Sequence, residues 1–182
     1  MSEWLDYLEK LRVLALEWTE HHSNSVTRMH HVIYLLDTIV RISGQTEHSE
    51  RLAYEHHMQI ETQLRLVRAT VIRMARATRG LETLVQAIHR AESSVVPRAL
   101  QVTGITPEYV QQKARDVFGR CANEYERVVA LVAELITGRG VRHIAGEWTS
   151  NSVTLNVRDV SDRLRTCTQI IRFEQMSAEI KS

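Results

Sequence analysis

Ile60, Leu64, Val67, Val71, Met74, Thr78, Leu81, Val85 and Ile88 follow one another in steps of four and three without a slip. An apolar period of 3.5 held over this length is one side of a long helix laid against other helices. No proline interrupts the chain from Met1 to Val96, and the whole 182 residues hold only two prolines and seven glycines. Few helix breakers and long seams predict an all-α protein. The expected architecture is an elongated antiparallel up-down-up-down four-helix bundle with coiled-coil-like long helices. It forms a single domain over residues 1–182, a long hairpin (1–95) followed by a shorter one (106–180).

Other segments fit this plan. Trp4, Leu8, Leu11, Ala15 and Trp18 mark a first helix, and the pattern resumes at Val26, Met29, Ile33, Leu36 and Val40. Between them Ser23-Asn24-Ser25 are poor helix formers that favour caps, so a bend or short break is expected there in a helix over about 3–43. Gly44 is a stop, and a second helix runs from Thr46 to about Ser94, roughly 70 Å at 1.5 Å per residue. Val95 to Ile105 reads as a loop, punctuated by Pro97 and Gly104. Thr106-Pro107-Glu108 is a capping hydroxyl, a first-turn proline and an acid on the helix dipole. The third seam is Val110, Ala114, Val117, Cys121, Tyr125, Val128, Val132 and Leu135. Gly138 and Gly140 end that helix, Arg139 to Gly146 reads as a basic loop, and a fourth helix over about 150–178 carries Val153, Val157, Val160, Leu164, Cys167 and Ile171. Glu17-Trp18-Thr19 before Ser23-Asn24-Ser25 has an echo in Glu147-Trp148-Thr149 before Ser150-Asn151-Ser152. A shared origin of two hairpins and chance both account for it.

The net charge is +1, so no global field favours nucleic acid or an anionic membrane. Its distribution is uneven. Residues 1–62 hold ten acids against five bases, net −5, and residues 63–101 hold two against seven, net +5. Cys121 and Cys167 sit on seams without metal-like spacing, as buried free thiols in a reducing compartment. No apolar run approaches a membrane span of about 18 residues, and the acidic start is not a secretory signal. A cytoplasmic location is expected, with leaderless export left open.

Four features compete for function. With Gly44 as the hairpin turn, His30 and His31 come opposite His56 and His57, and Glu61 lies one turn beyond His57 on the same face. Facing histidines with a carboxylate are how helical bundles build metal sites, which makes His30, His57 and Glu61 the metal candidates. His57-x-x-x-Glu61 resembles one ligand pair of hemerythrin-like bundles, but that family's other ligand spacings and the Glu-x-x-His of ferritin-like bundles are absent. A partly solvated polar layer or a pH-sensitive contact explains the same residues. Second, Arg65, Arg68, Arg73, Arg76 and Arg79 lie on outer positions of the long helix, with no acid between Gln63 and Leu81. They are candidate anion-binding residues, although no aromatics interleave to stack bases, and nucleic acid is not the expected partner. Third, Gly138-Arg139-Gly140-Val141-Arg142-His143 has the glycines of an anion nest but lacks a phosphate-loop ending, and reads as a helix cap and linker. Fourth, Trp4 and Trp18 fall on the core seam. Trp148, at the start of the last helix, is a staple or an anchor for a partner.

No strained-turn nucleophile or catalytic constellation stands out. The expected function is a non-enzymatic protein-interaction or assembly subunit, forming a homo-oligomer or binding a helical partner, without cofactor. Because the first hairpin outreaches the second, its partner-binding strip is expected at Leu64, Val67, Val71 and Met74, with Trp148. A break at Thr78 to Gly80 would fold the excess length back. The rival classes are a metal-binding enzyme or sensor and a nucleic-acid-binding subunit.

Overall fold

A computed structural model describes residues 3–42, 47–91, 98–137, 140–150, 155 and 157–179. The described chain is helical, in the order α1 (Glu3–Ile42), α2 (Glu47–Arg90), α3 (Arg98–Val102), α4 (Pro107–Thr137), α5 (Val141–Ser150) and α6 (Arg158–Glu179). None of these helices is long and apolar enough to cross a membrane.

The apolar seams are the buried faces. Along α2, Ile60, Val67, Val71, Met74, Leu81 and Ile88 are buried. The helix passes through Thr78 to Gly80 without a break. A Cβ at Gly80 would lie 3.0 Å from Leu14 Cδ2, so the glycine admits a close approach of α1 rather than a bend. Helix α1 is also unbroken, so of the bend or short break expected at Ser23-Asn24-Ser25 the break is absent. Its buried positions run Trp4, Leu8, Leu11, Ala15, Trp18, His22, Ser25, Met29 and Val32, still in fours and threes. The seam passes through two polar residues, so the helix holds its register where apolar side chains alone suggest a gap.

Two expected loops contain helices. The segment taken as a basic loop up to Gly146 is helical from Val141 onward, and Ile144, Ala145 and Trp148 are its buried residues. Their i, i+1, i+4 spacing is one helical face. The fourth helix expected over about 150–178 corresponds to α6, which begins at Arg158, and α5 precedes it. Within 95–105 the short α3 packs on α6. It ends in a Schellman-type turn: Gly104 has φ 65°, and the Ile105 N–H donates to the Leu100 carbonyl at 2.9 Å. The start of α4 is as read from Thr106-Pro107-Glu108, with the Tyr109 N–H donating to Thr106 Oγ1 at 3.1 Å. Gly44, Gly138 and Arg139 lie outside the described residues, as do Val95 to Pro97.

The chain divides into two compact units. One comprises Met1–Glu17, Ala77–Cys121 and Leu155–Ser182, the other Trp18–Arg76 and Ala122–Thr154. The first has its core at Trp4, Leu8, Leu81, Leu100, Ile105 and Val160, the second at Trp18, Met29, Val67, Met74, Val128 and Trp148.

Candidate functional site

The second unit holds a polar cluster on seam positions. His22 and Ser25 come from α1, Glu124 from α4 and Trp148 from α5, and all four are buried. Glu124 Oε1 is 2.9 Å from His22 Nε2. Arg127 donates to the same carboxylate through Nε at 2.8 Å and Nη2 at 2.6 Å. Burial alone raises the Glu124 carboxyl, but the bonds from Arg127 and His22 outweigh it and hold the group below the ordinary carboxylate range. An ionised carboxylate only accepts, so His22 carries its hydrogen on Nε2. Arg127 also donates through Nη1 to the Glu147 carbonyl at 3.0 Å, tying α4 to α5.

The tryptophans complete the cluster. The Trp148 indole N–H donates to Ser25 Oγ at 3.1 Å, and Ser25 Oγ donates onward to the His22 carbonyl at 2.7 Å. The Trp18 ring stacks on His22 with centroids 5.2 Å apart and planes 10° apart. Each partner therefore satisfies another's buried polar atom, which is what keeps such groups in a core. The cluster positions helices. Trp148 is 0% exposed, so it is a core residue of this unit and not a free anchor for a partner. The Glu-Trp-Thr echo places both of its tryptophans here.

A second polar clasp holds the first unit. Tyr109 Oη donates to Asp159 Oδ2 at 2.7 Å, and Arg163 Nε donates to Asp159 Oδ1 at 3.1 Å. Arg163 Nη1 reaches the Thr103 carbonyl at 3.0 Å and the Gly104 carbonyl at 3.2 Å. Its guanidinium lies 4.5 Å from the Tyr109 ring centroid. Burial, then the Asp159 bond, raises the Tyr109 hydroxyl, and that bond with Arg163 lowers Asp159. The arginine closes the carboxyl end of α3, whose last carbonyls have no helical partner.

The predicted metal residues are not brought together. His30, His57 and Glu61 are all exposed, and His57 Nδ1 lies 2.8 Å from the Ala53 carbonyl of its own helix. Arg28 Nη1 donates to Gln63 Oε1 at 3.1 Å, which fixes the hairpin register. His31 then lies beside Met58, Gln59, Thr62 and Gln63 around a surface cleft, one turn away from the expected level of His56 and His57. Among the described residues no three His, Cys, Asp or Glu side chains gather where they could hold a metal ion.

The expected partner strip is also core. Val67, Val71 and Met74 are buried and Leu64 half-buried. The second unit places α4 residues from Ala122 onward and α5 with this stretch of α2. Reading residues up to Gly146 as loop left that cover uncounted. The arginines Arg65, Arg68, Arg73, Arg76 and Arg79 are exposed as read. Of these, Arg65, Arg68, Arg73 and Arg76 form no ion pair among the described residues, whereas Arg12, Arg51, Arg120, Arg127, Arg142, Arg163 and Arg165 each meet a carboxylate. Cys121 and Cys167 are buried free thiols, and burial pushes Cys121 up to about 12. Comparison of the chain with family models, curated proteins and solved structures finds no match.

Proposed function

We propose that this chain is a non-enzymatic helical-bundle subunit that works by self-assembly. One observation carries the reading: the outer faces of α1 and α2 hold large apolar side chains in water while the seams behind them are already buried. Tyr34 and Val40 are 59% and 67% exposed on α1, and Tyr54 and Ile72 are 66% and 57% exposed on α2. Large apolar side chains left exposed on an otherwise filled fold are candidate contact residues. A second copy is the occupant in keeping with a chain of net charge +1 whose first third is acidic and whose middle is basic.

Light scattering across micromolar concentrations tests this. The expected result is a mass that rises above 21.0 kDa with concentration. A constant mass of one chain refutes self-assembly.

A further inference from the structure

We infer that the arginine face of α2 docks on the acidic outer face of α1 of a second copy, antiparallel, in one defined register. The inference rests on the self-assembly reading and names the surface through which it acts.

On α2, Leu66, Ala69, Arg73 and Arg76 are exposed and spaced three, four and three residues apart, so they share one helical face. On α1, Asp6, Glu9, Val13 and Leu16 repeat the same spacing. Asp6 is partly exposed, Glu9 exposed, and Val13 and Leu16 are 48% and 44% exposed. The antiparallel register that sets Asp6 against Arg76 also sets Glu9 against Arg73, Val13 against Ala69 and Leu16 against Leu66. One position further on, Glu17 faces Arg65. In these five pairs each charge meets its opposite and each apolar residue an apolar one, and the same register sets exposed Lys10 against Ile72. The parallel alignment of the same four positions sets Asp6 against Leu66 and Glu9 against Ala69, and the parallel alignment that pairs Asp6 with Arg73 and Glu9 with Arg76 sets Val13 and Leu16 against Gly80 and Thr83, with no large apolar partner.

Charge complementarity selects the occupant. Arg73 and Arg76 have no carboxylate within their own helix face, since none occurs from Gln63 to Leu81, whereas Arg65 has Glu61 one turn before it. Arg12 already donates to both Glu9 oxygens, through Nε at 3.0 Å and Nη2 at 2.5 Å, and a second guanidinium would share the remaining lone pairs of those oxygens. The apolar residues between the arginines fit the side of a helix better than a phosphate backbone, which offers them nothing to cover. Opposite charges flanking an apolar centre fix register and partner, as they do at the edges of coiled coils.

Paired charge reversals test the contact. One variant carries Arg73→Glu with Arg76→Glu, the other Asp6→Arg with Glu9→Arg. These positions are exposed or half-exposed, so each variant is expected to keep the circular dichroism spectrum and melting temperature of the parent. In sedimentation velocity the parent associates, and each variant alone associates about tenfold or more weakly. An equimolar mixture of the two variants associates again, because each then meets its opposite sign. Association of the parent also weakens in about 0.5 M salt, where exposed charges are screened within a few ångströms. If the parent associates and both variants do so equally well, this contact is wrong while self-assembly stands. If the parent stays monomeric, both fail. Failure of the mixture to recover overturns the register, and tight binding of a generic DNA duplex by the parent, lost on Arg73→Glu with Arg76→Glu, assigns the face to phosphate instead.

Discussion

Removing the Glu124 carboxylate should destabilise the second unit in a way that pH exposes. In Glu124→Ala, His22 Nε2 loses its acceptor and Arg127 loses two short bonds. Breaking a buried ionic pair from one side costs about 3–5 kcal/mol. The lower end applies, because the Arg127 side chain is 25% exposed and keeps its bond to the Glu147 carbonyl. A loss of about 3 kcal/mol lowers the melting temperature of a chain this size by roughly 6–12 °C. Glu124→Gln keeps the shape and one acceptor oxygen but not the charge, so its loss is about half as large, near the worth of one charged hydrogen bond of roughly 1.5 kcal/mol. The sign with pH follows from the depressed carboxyl. Its stabilisation is fully present above the ordinary carboxylate value and disappears as pH falls through the lower value of the folded state. The glutamine variant cannot titrate there, so the gap between parent and Glu124→Gln closes in acid. Thermal unfolding followed by circular dichroism from neutral pH to about pH 3 reads both effects. Equal melting temperatures at neutral pH, or a gap that persists undiminished in acid, refute the assigned role.

Three further outcomes follow from the packing. Gly104→Ala loses about 1–3 kcal/mol, because φ is 65° and the new Cβ would lie 2.7 Å from Arg163 Nη1; denaturant unfolding measures it, and an unchanged midpoint contradicts the clasp. Gly80→Ala is neutral or stabilising by up to about 1 kcal/mol, since alanine favours the helix and Leu14, 3.0 Å away, borders a groove of ≈ 450 Å³ into which it can shift; a loss above about 2 kcal/mol shows that the crossing is rigid. Trp148→Phe costs more than Trp4→Phe by about 1 kcal/mol beyond the shared loss of volume, because the Trp148 N–H bonds Ser25 while the buried Trp4 N–H has no acceptor among the described residues. Thermal melts of the two variants decide the order.

The long helices were legible because seam residues repeat at a period that only a helix satisfies, as at Ile60 to Ile88 or Val110 to Cys121. The polar cluster was not, because counting apolar residues skips polar ones. Counting positions instead of residue types finds it: four and three from Trp18 reach His22 and Ser25, and three from Cys121 reaches Glu124, where the apolar count moved to Tyr125. Helix α5 was hidden by Gly140 and Gly146, which punctuate a sequence more strongly than they interrupt a ten-residue helix with three buried side chains. The histidine placement failed on register, since an error of one turn at the hairpin moves every facing pair.

The Glu124 layer also makes the helices unable to slide. In a seam of purely apolar residues, a displacement by seven positions restores an almost equivalent packing, and the chain has several alignments of similar energy. With Glu124 on α4 the alignments are not equivalent. A slide of one heptad along α1 would take the carboxylate from His22 to Met29, which offers it no donor, and would leave His22 facing an apolar partner. Each of those buried orphans costs more than one alignment of leucines differs from the next. The polar layer thus works as an indexing pin, selecting one axial setting out of a repeating series.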